Sequence, residues 1–161
     1  MTIHEIVQVE EDHIASLAES MQKEDRDNAW AIAHLSPEQA IRHSVGASIE
    51  SETWLADGGV MAIRVVSRGT FLSPYACVWM LGAEGLRRYP MAFLKGSREW
   101  VERMLEEHEY LVNYVDGRNK RSLKWLKWLG FTIYPAAPLG IEGKMFHWVE
   151  KRKEEIDGHR D

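Results

Sequence analysis

The stretch Asn119-Lys-Arg-Ser-Leu-Lys-Trp-Leu-Lys-Trp-Leu-Gly-Phe131 constrains the fold of this chain more than any other. It follows Leu111-Val-Asn-Tyr-Val-Asp116, whose apolar alternation predicts a buried strand. Asn119 is suited to cap a helix, because its side-chain oxygen can accept from a free N–H of the first turn. Gly130 stands where a helix ends in a positive-φ residue. Phe131-Thr-Ile-Tyr134 is again β-like. Strand, capped helix, glycine stop and strand thus fit into roughly 25 residues.

The rest of the chain supplies a matching order. Ile3–Val9 predicts a first strand, and Glu11 onwards an acidic helix with Ile14, Leu17, Ala18 and Met21 on one face. Glu24–His34 reads either as a bent loop or as a helical turn. Ser36-Pro37-Glu38-Gln39 is a helix start with a capping box and proline at the first helical position, and this helix is expected to run to about Ile49. Thr53-Trp-Leu and Val60–Val66 flank Asp57-Gly58-Gly59 as a hairpin. After a loop at Arg68–Pro74, Tyr75–Leu81 is a long apolar strand. Pro90 opens a helix in which Phe93, Leu94, Trp100, Val101, Met104 and Leu105 share a face. Met145–Val149 is the last strand. The expected organisation is one domain over residues 1–149 and a charged, disordered tail over 150–161.

Charge and cysteine content narrow the function. The net charge of −5 argues against bulk nucleic-acid binding. It is unevenly spread, with acidic residues dominating before residue 36 and lysine and arginine dominating between residues 86 and 130. A basic second half fits either an anionic ligand or a solvated face. On the helix after Asn119, Lys120, Lys124 and Lys127 make such a face. Cys77 is the single cysteine, which fits a reducing, cytoplasmic setting, and its apolar surroundings predict a small core residue. The sequence predicts no leader, no membrane span and no metal site, since the seven histidines show no ligand spacing.

The Asn119 block resembles the last conserved block of the GNAT acyltransferase superfamily, with Asn119, Ser122, Gly130 and Phe131 in the matching places. The element order β-α-α-β-β-β-α-β-α-β-β agrees over residues 3–149. The resemblance implies an α/β (α+β) fold with a mixed central sheet split between strands four and five. It further implies acetyl-CoA or another acyl-CoA as cofactor, contacted by Leu81, Gly82, Ala83, Arg87, Arg88, Asn119 and Ser122. The acyl oxygen would be polarised by a backbone N–H near Leu81–Ala83. Two places depart from the family pattern. Gly82-Ala-Glu-Gly-Leu-Arg-Arg-Tyr-Pro-Met-Ala92 has no Gly-x-Gly after its arginines, and Pro90 removes one N–H donor. Leu126 stands where many members carry a tyrosine that protonates the departing thiolate, and leucine donates no proton.

Glu84 is the candidate general base, and Tyr114, Tyr89 and Ser122 are candidate hydroxyl donors, Tyr114 foremost. Tyr114 shares a strand face with Val112 and Asp116, either bordering the cleft or lying under a helix. Lys95 is a further candidate anion contact.

The segments Cys77-Val-Trp-Met-Leu-Gly82, Leu111-Val-Asn-Tyr-Val, Asn119 and Leu126-Lys-Trp-Leu-Gly-Phe131 are similar to a group of small tailed-phage GNAT-like proteins related to the T7-like internal virion protein A. That similarity covers mainly residues 75–149 and implies a phage origin and a place in or near the virion. Two functions follow. One is an acyl-CoA dependent N-acyltransferase acting on an amine, small molecule or protein, held between the Asp25–His34 and Pro135–Gly143 regions. The other is a phage accessory or internal virion protein that keeps the fold without the catalysis.

Overall fold

The structure is a computed structural model, and it describes residues 1–68 and 75–153. The elements run β1 (His4–Val7), α1 (Glu11–Ser20), α2 (Lys23–Ala33), α3 (Pro37–Gly46), β2 (Glu50–Ala56), β3 (Gly59–Ser67) and β4 (Tyr75–Gly82). A short 3-10 turn (Glu84–Arg88) follows. Then come α4 (Pro90–Glu107), β5 (Tyr110–Asp116), α5 (Lys120–Trp128), β6 (Thr132–Ile133), β7 (Ala137–Leu139) and β8 (Lys144–Arg152). The strands form one mixed sheet in the order β1-β2-β3-β4-β5-β8-β6, with β7 paired to β8.

Most of what the sequence predicts is present. Ser36 and Gln39 close a reciprocal capping box on α3. Asn119 caps α5, its Oδ1 accepting from the Ser122 N–H at 3.1 Å, and Gly130 follows at φ +97°. The order departs in four places. Most of Glu24–His34 belongs to a full helix, α2, with His34 as its left-handed C-cap. The third helix ends at Gly46 rather than near Ile49, and β7 is an added strand. The last strand runs to Arg152, so residues 150–152, expected in the charged tail, pair with Tyr110–Val112 of β5. Backbone pairing with β5 holds these consecutive charged residues in the sheet, and composition does not report backbone pairing. Residues 69–74, within the expected loop, and 154–161, within the expected tail, lie outside the described residues.

Helices cover both sheet faces. On one face Ile14, Leu17, Met21 and Ile41 pack on Ile63, Val65 and Leu81. On the other, Trp100, Val101, Met104 and Leu126 pack on Val66, Val78, Leu111 and Val115. Two buried cores on one sheet fix the register, because a one-residue slip would turn each strand's apolar side chains outward.

The feature that positions the site lies between β4 and β5. They pair in parallel, as the strand–helix–strand order requires, but only at Tyr75–Tyr110, Ala76–Leu111 and Cys77–Val112. Beyond Cys77 the two strands separate, β4 staying on β3 and β5 on β8 to their ends. The sheet is therefore split between its fourth and fifth strands, as the resemblance implies.

Candidate functional site

Two cavities open along the split. The first, about 490 Å³, lies between α2, α3 and the separated strands, and reaches through to α5. The second, about 360 Å³, lies between the 3-10 turn, the start of α4 and α5. They meet, because Asp25, Met80, Asn119, Ser122 and Trp125 line both.

The hydrogen-bond pattern of β4 decides which backbone donors face the split. Ala83 N–H donates to the Met61 carbonyl on β3 at 2.8 Å. Donors on a strand alternate sides, so Leu81 N–H also faces β3, while Gly82 and Met80 N–H face the gap left by β5. Gly82 N–H is already held, donating to Asp25 Oδ2 at 2.8 Å, and its carbonyl accepts from Gln22 N–H at 2.9 Å. The segment before α2 thus pairs with the tail of β4 where β5 has left it. A Cβ on Gly82 would sit 2.4 Å from Leu86 Cδ2 and 2.9 Å from Gln22 Nε2, so a larger residue there would have to displace those two side chains. Of the expected donors at Leu81–Ala83, none is left facing the split unpaired, and Met80 N–H takes that position.

Asp25 is half-buried at the junction of the cavities. Burial pushes its carboxyl up to about 6, against the pull of the Gly82 and Gln22 hydrogen bonds. Its Oδ2 accepts from both Gly82 N–H and Gln22 Nε2. At the end of β5, Asp116 is buried. Burial opposes its charge, but the Arg118 backbone N–H and guanidinium outweigh this and hold its carboxyl below the usual range. This clasp shapes the turn that delivers Asn119, whose N–H donates to the Asp116 carbonyl.

The remaining candidates are distributed unevenly. Asn119 and Ser122 line both cavities, and Leu81 lines the first. Tyr114 faces the first cavity, 44% exposed and edge-on to Trp148, so it borders the cleft rather than lying under a helix. Arg87 borders the second cavity but is ion-paired with Glu24 of α2. Arg88, Lys95, Tyr89 and Glu84 line neither cavity, and Glu84 is exposed at the start of the 3-10 turn. Cys77 lines the first cavity with its thiol pushed up by burial, which disfavours a thiolate. Leu126 is buried in the core beside the first cavity.

Asp25 lies in the region where the sequence places the acceptor, with Glu24 and Asp27 as acidic hints of a cationic one, and the structure sets it on the cavity wall. One residue there carries chemistry that sequence reasoning missed: Trp125, whose Nε1–H is buried without an acceptor among the described residues. A buried donor without a partner is costly, and a ligand carbonyl would satisfy it. Arg121 and Lys124 on α5 add positive charge to the second cavity. The far wall of the first cavity is closed by the turn before β8. Ile141 and Glu142 N–H donate to the carbonyls of Ile32 and Ala31, and Glu142 pairs with His34 Nε2 at 2.9 Å. Gly140, at φ +80°, makes this contact possible, since a Cβ there would lie 2.8 Å from the Ile32 Cα. Among the described residues there is no metal-binding cluster and no helix long and apolar enough to cross a membrane.

No protein-family model and no curated protein matches the chain. Solved structures do match in fold. A putative acetyltransferase from Acinetobacter baylyi superposes with a TM-score of 0.71 at 13% identity, covering 98% of this chain and 99% of its own. The ribosomal-protein-S18-alanine N-acetyltransferase from Escherichia coli gives 0.65 at 14% identity, with 98% of each chain covered. A GCN5-related N-acetyltransferase from Kribbella flavida gives 0.63 at 19% identity, over 93% of this chain and 98% of its own. At such identities the fold is what is shared, and it is the GNAT fold.

Proposed function

We propose that this chain binds an acyl-coenzyme A in the split between β4 and β5 and transfers the acyl group to an amine. The observation that carries this reading is the split itself, where a β4 backbone donor without a strand partner, Met80 N–H, meets two joined cavities. The thioester supplies an activated carbonyl. Met80 N–H is aimed to polarise its oxygen, and a fixed backbone dipole in a partly dry cleft does this without reorganising. Trp125 Nε1–H offers a second donor to the amide-bearing arm of the cofactor. Arg121, Lys124 and the free N–H groups at the start of α4 suit its phosphates, and Arg87 joins them by exchanging Glu24 for phosphate. Asn119 shapes the start of α5 at the same junction. Among the residues lining the two cavities Tyr114 is the one phenol, and it is the candidate donor to the leaving thiolate. Glu84, outside both cavities, is a poor base for an amine held between them.

Acetyl-CoA at millimolar concentration should raise the melting temperature, since a ligand that binds only the folded state stabilises it. Replacing Arg121 and Lys124 together with alanine should shrink that rise without altering the melting of the free protein. No rise in the parent protein would overturn the reading.

A second reading is favoured by the Glu24–Arg87 ion pair and by buried Leu126, which fill an anion-binding and an acid position with groups that do neither job. In it the chain is a phage accessory or virion protein in the host cytoplasm or the particle, using the fold to bind rather than catalyse. Cofactor binding with no transfer to a broad panel of amines would favour it.

A further inference from the structure

We propose that Asp25 is the receiving group for the acceptor, and that the acceptor is a protonated primary amine on a slender apolar stem whose ammonium Asp25 binds and deprotonates. The inference rests on the acyltransferase reading of the same cleft and names its second substrate and its base.

Three observations carry it. First, Asp25 stands where the two cavities join and is bonded to Gly82, which lies two residues along β4 from Met80, the donor proposed for the acyl oxygen. Alternate residues of a strand are about 6.6 Å apart. That interval accommodates a carbonyl on Met80 N–H and an amine nitrogen between it and the carboxylate. Second, Asp25 is a half-buried carboxylate that no cationic side chain among the described residues hydrogen-bonds. Its Oδ2 is taken by Gly82 N–H and Gln22 Nε2, while Oδ1 has no hydrogen bond among the described residues. Buried charges are ordinarily paired, so a site of this kind lacks a cation. Third, the approach from the first cavity is lined by Ala29, Ile32, Leu35 and Leu139, which suits a hydrocarbon stem.

The groups facing Asp25 do not supply that cation. Glu24, beside it on α2, raises its proton affinity, and Arg87 on the 3-10 turn, engaged by Glu24, lowers it least of all the influences. From α3 comes His43, from β5 Asp116, which is clasped by Arg118, and from α5 Arg121 and Lys124 on the second cavity. The carboxylate, raised to about 6, is ionised at neutral pH and still basic enough to take a proton.

The step balances. Asp25 takes one proton from the ammonium. The freed lone pair forms a C–N bond to the thioester carbonyl, the C–S bond breaks, and the departing sulfur ends with the second N–H proton. Asp25 returns its proton to water, leaving amide and thiol.

The test begins without the cofactor. The Asp25 carboxyl carbon is followed by 13C NMR between pH 4 and 8, with n-butylammonium added and n-butanol as control. The expected result is that n-butylammonium lowers the titration midpoint near pH 6 by about one unit and that butanol leaves it in place. Asp25→Asn should weaken n-butylammonium binding about tenfold or more. A midpoint that does not move at tens of millimolar amine, or an Asn variant that binds as well, overturns the proposal. With acetyl-CoA, Asp25→Asn should keep the cofactor-induced melting shift, lose about 100-fold or more in kcat/KM for n-butylamine, and lose the inflection near pH 6. An unchanged pH profile would make Asp25 a strap for Gly82 only. If the parent protein shows no acetyl-CoA shift, the acyltransferase reading fails on its own, and the n-butylammonium titration still decides the ammonium site.

Discussion

The cleft has two helical walls built on different principles. α5 is nine residues long, starts on an Asn119 cap, and sends Leu126 into the core with Leu123 and Trp125 packed against it. α2 is eleven residues long, has no side-chain cap, and buries only Ala31. It is held by polar tethers: Asp25 to Gly82, Glu24 to Arg87, and the Ala31–His34 end to Ile141 and Glu142. Apolar packing makes α5 a fixed wall. Tethers of charge and hydrogen bond make α2 the wall whose position depends on pH, on anions and on one glycine. The wall with the weaker hold carries Asp25.

This contrast can be broken by substitution. The largest effect is expected from Leu126→Ala, which removes a buried side chain from the α5 wall and should cost about 3 kcal/mol by denaturant unfolding. A cost under about 1 kcal/mol would mean that α5 is not anchored as described.

Next comes the pH dependence of the α2 wall. The folded Asp25 carboxyl is raised by burial to about 6, above its ordinary 3.8, so between those values the native state holds a proton that the unfolded chain has released. Stability therefore falls as pH rises through that window, and the loss is complete above about 6. Solvent screens a half-buried group, so the expected loss is about 2 kcal/mol. Asp25→Asn should flatten this part of the profile, and a difference curve between the two proteins that is level from pH 4 to 7 would show no such burden.

Gly140→Ala should cost about 1–2 kcal/mol, from a positive φ and a Cβ pressed on Ile32. Its sharper signature is local. Amide exchange should speed up in α2 and leave α5 unchanged. The smallest effect is Glu24→Gln. It releases Arg87 from a partly exposed pair, so stability should change by less than about 1 kcal/mol. Acetyl-CoA affinity should rise about threefold or more, because phosphate no longer competes with a carboxylate.

The same contrast explains what could be read from the sequence. Tyr75–Leu81, Leu111–Asp116, the Asn119 cap and Gly130 were legible because strand alternation, capping and helix termination are local signals. Their parallel pairing follows from element order, and their separation is what the resemblance implies. α2 was ambiguous because its polar sequence gives neither a cap nor a continuous apolar stripe. The sequence marks Asp25 only together with Glu24 and Asp27, as acids that hint at a cationic acceptor, since nothing local reports that Gly82 N–H lies opposite it across 57 positions of chain. Glu84 is close to β4 in sequence, yet the 3-10 turn carries it away from the cavities. The unpaired Trp125 Nε1–H is a property of packing, and no spacing rule anticipates it.

The central claim is that an acyl-coenzyme A lies in the split, against a β4 donor that β5 has left free. A titration of 15N-labelled protein with acetyl-CoA reads it directly through two signals, the Met80 amide and the Trp125 indole N–H. Both should shift saturably with one dissociation constant, and the shifts should persist at 0.5 M salt, roughly three times physiological ionic strength. If both signals stay in place while only lysine- and arginine-bearing surface amides move, and those shifts vanish with salt, the split is not the binding site and the account is contradicted.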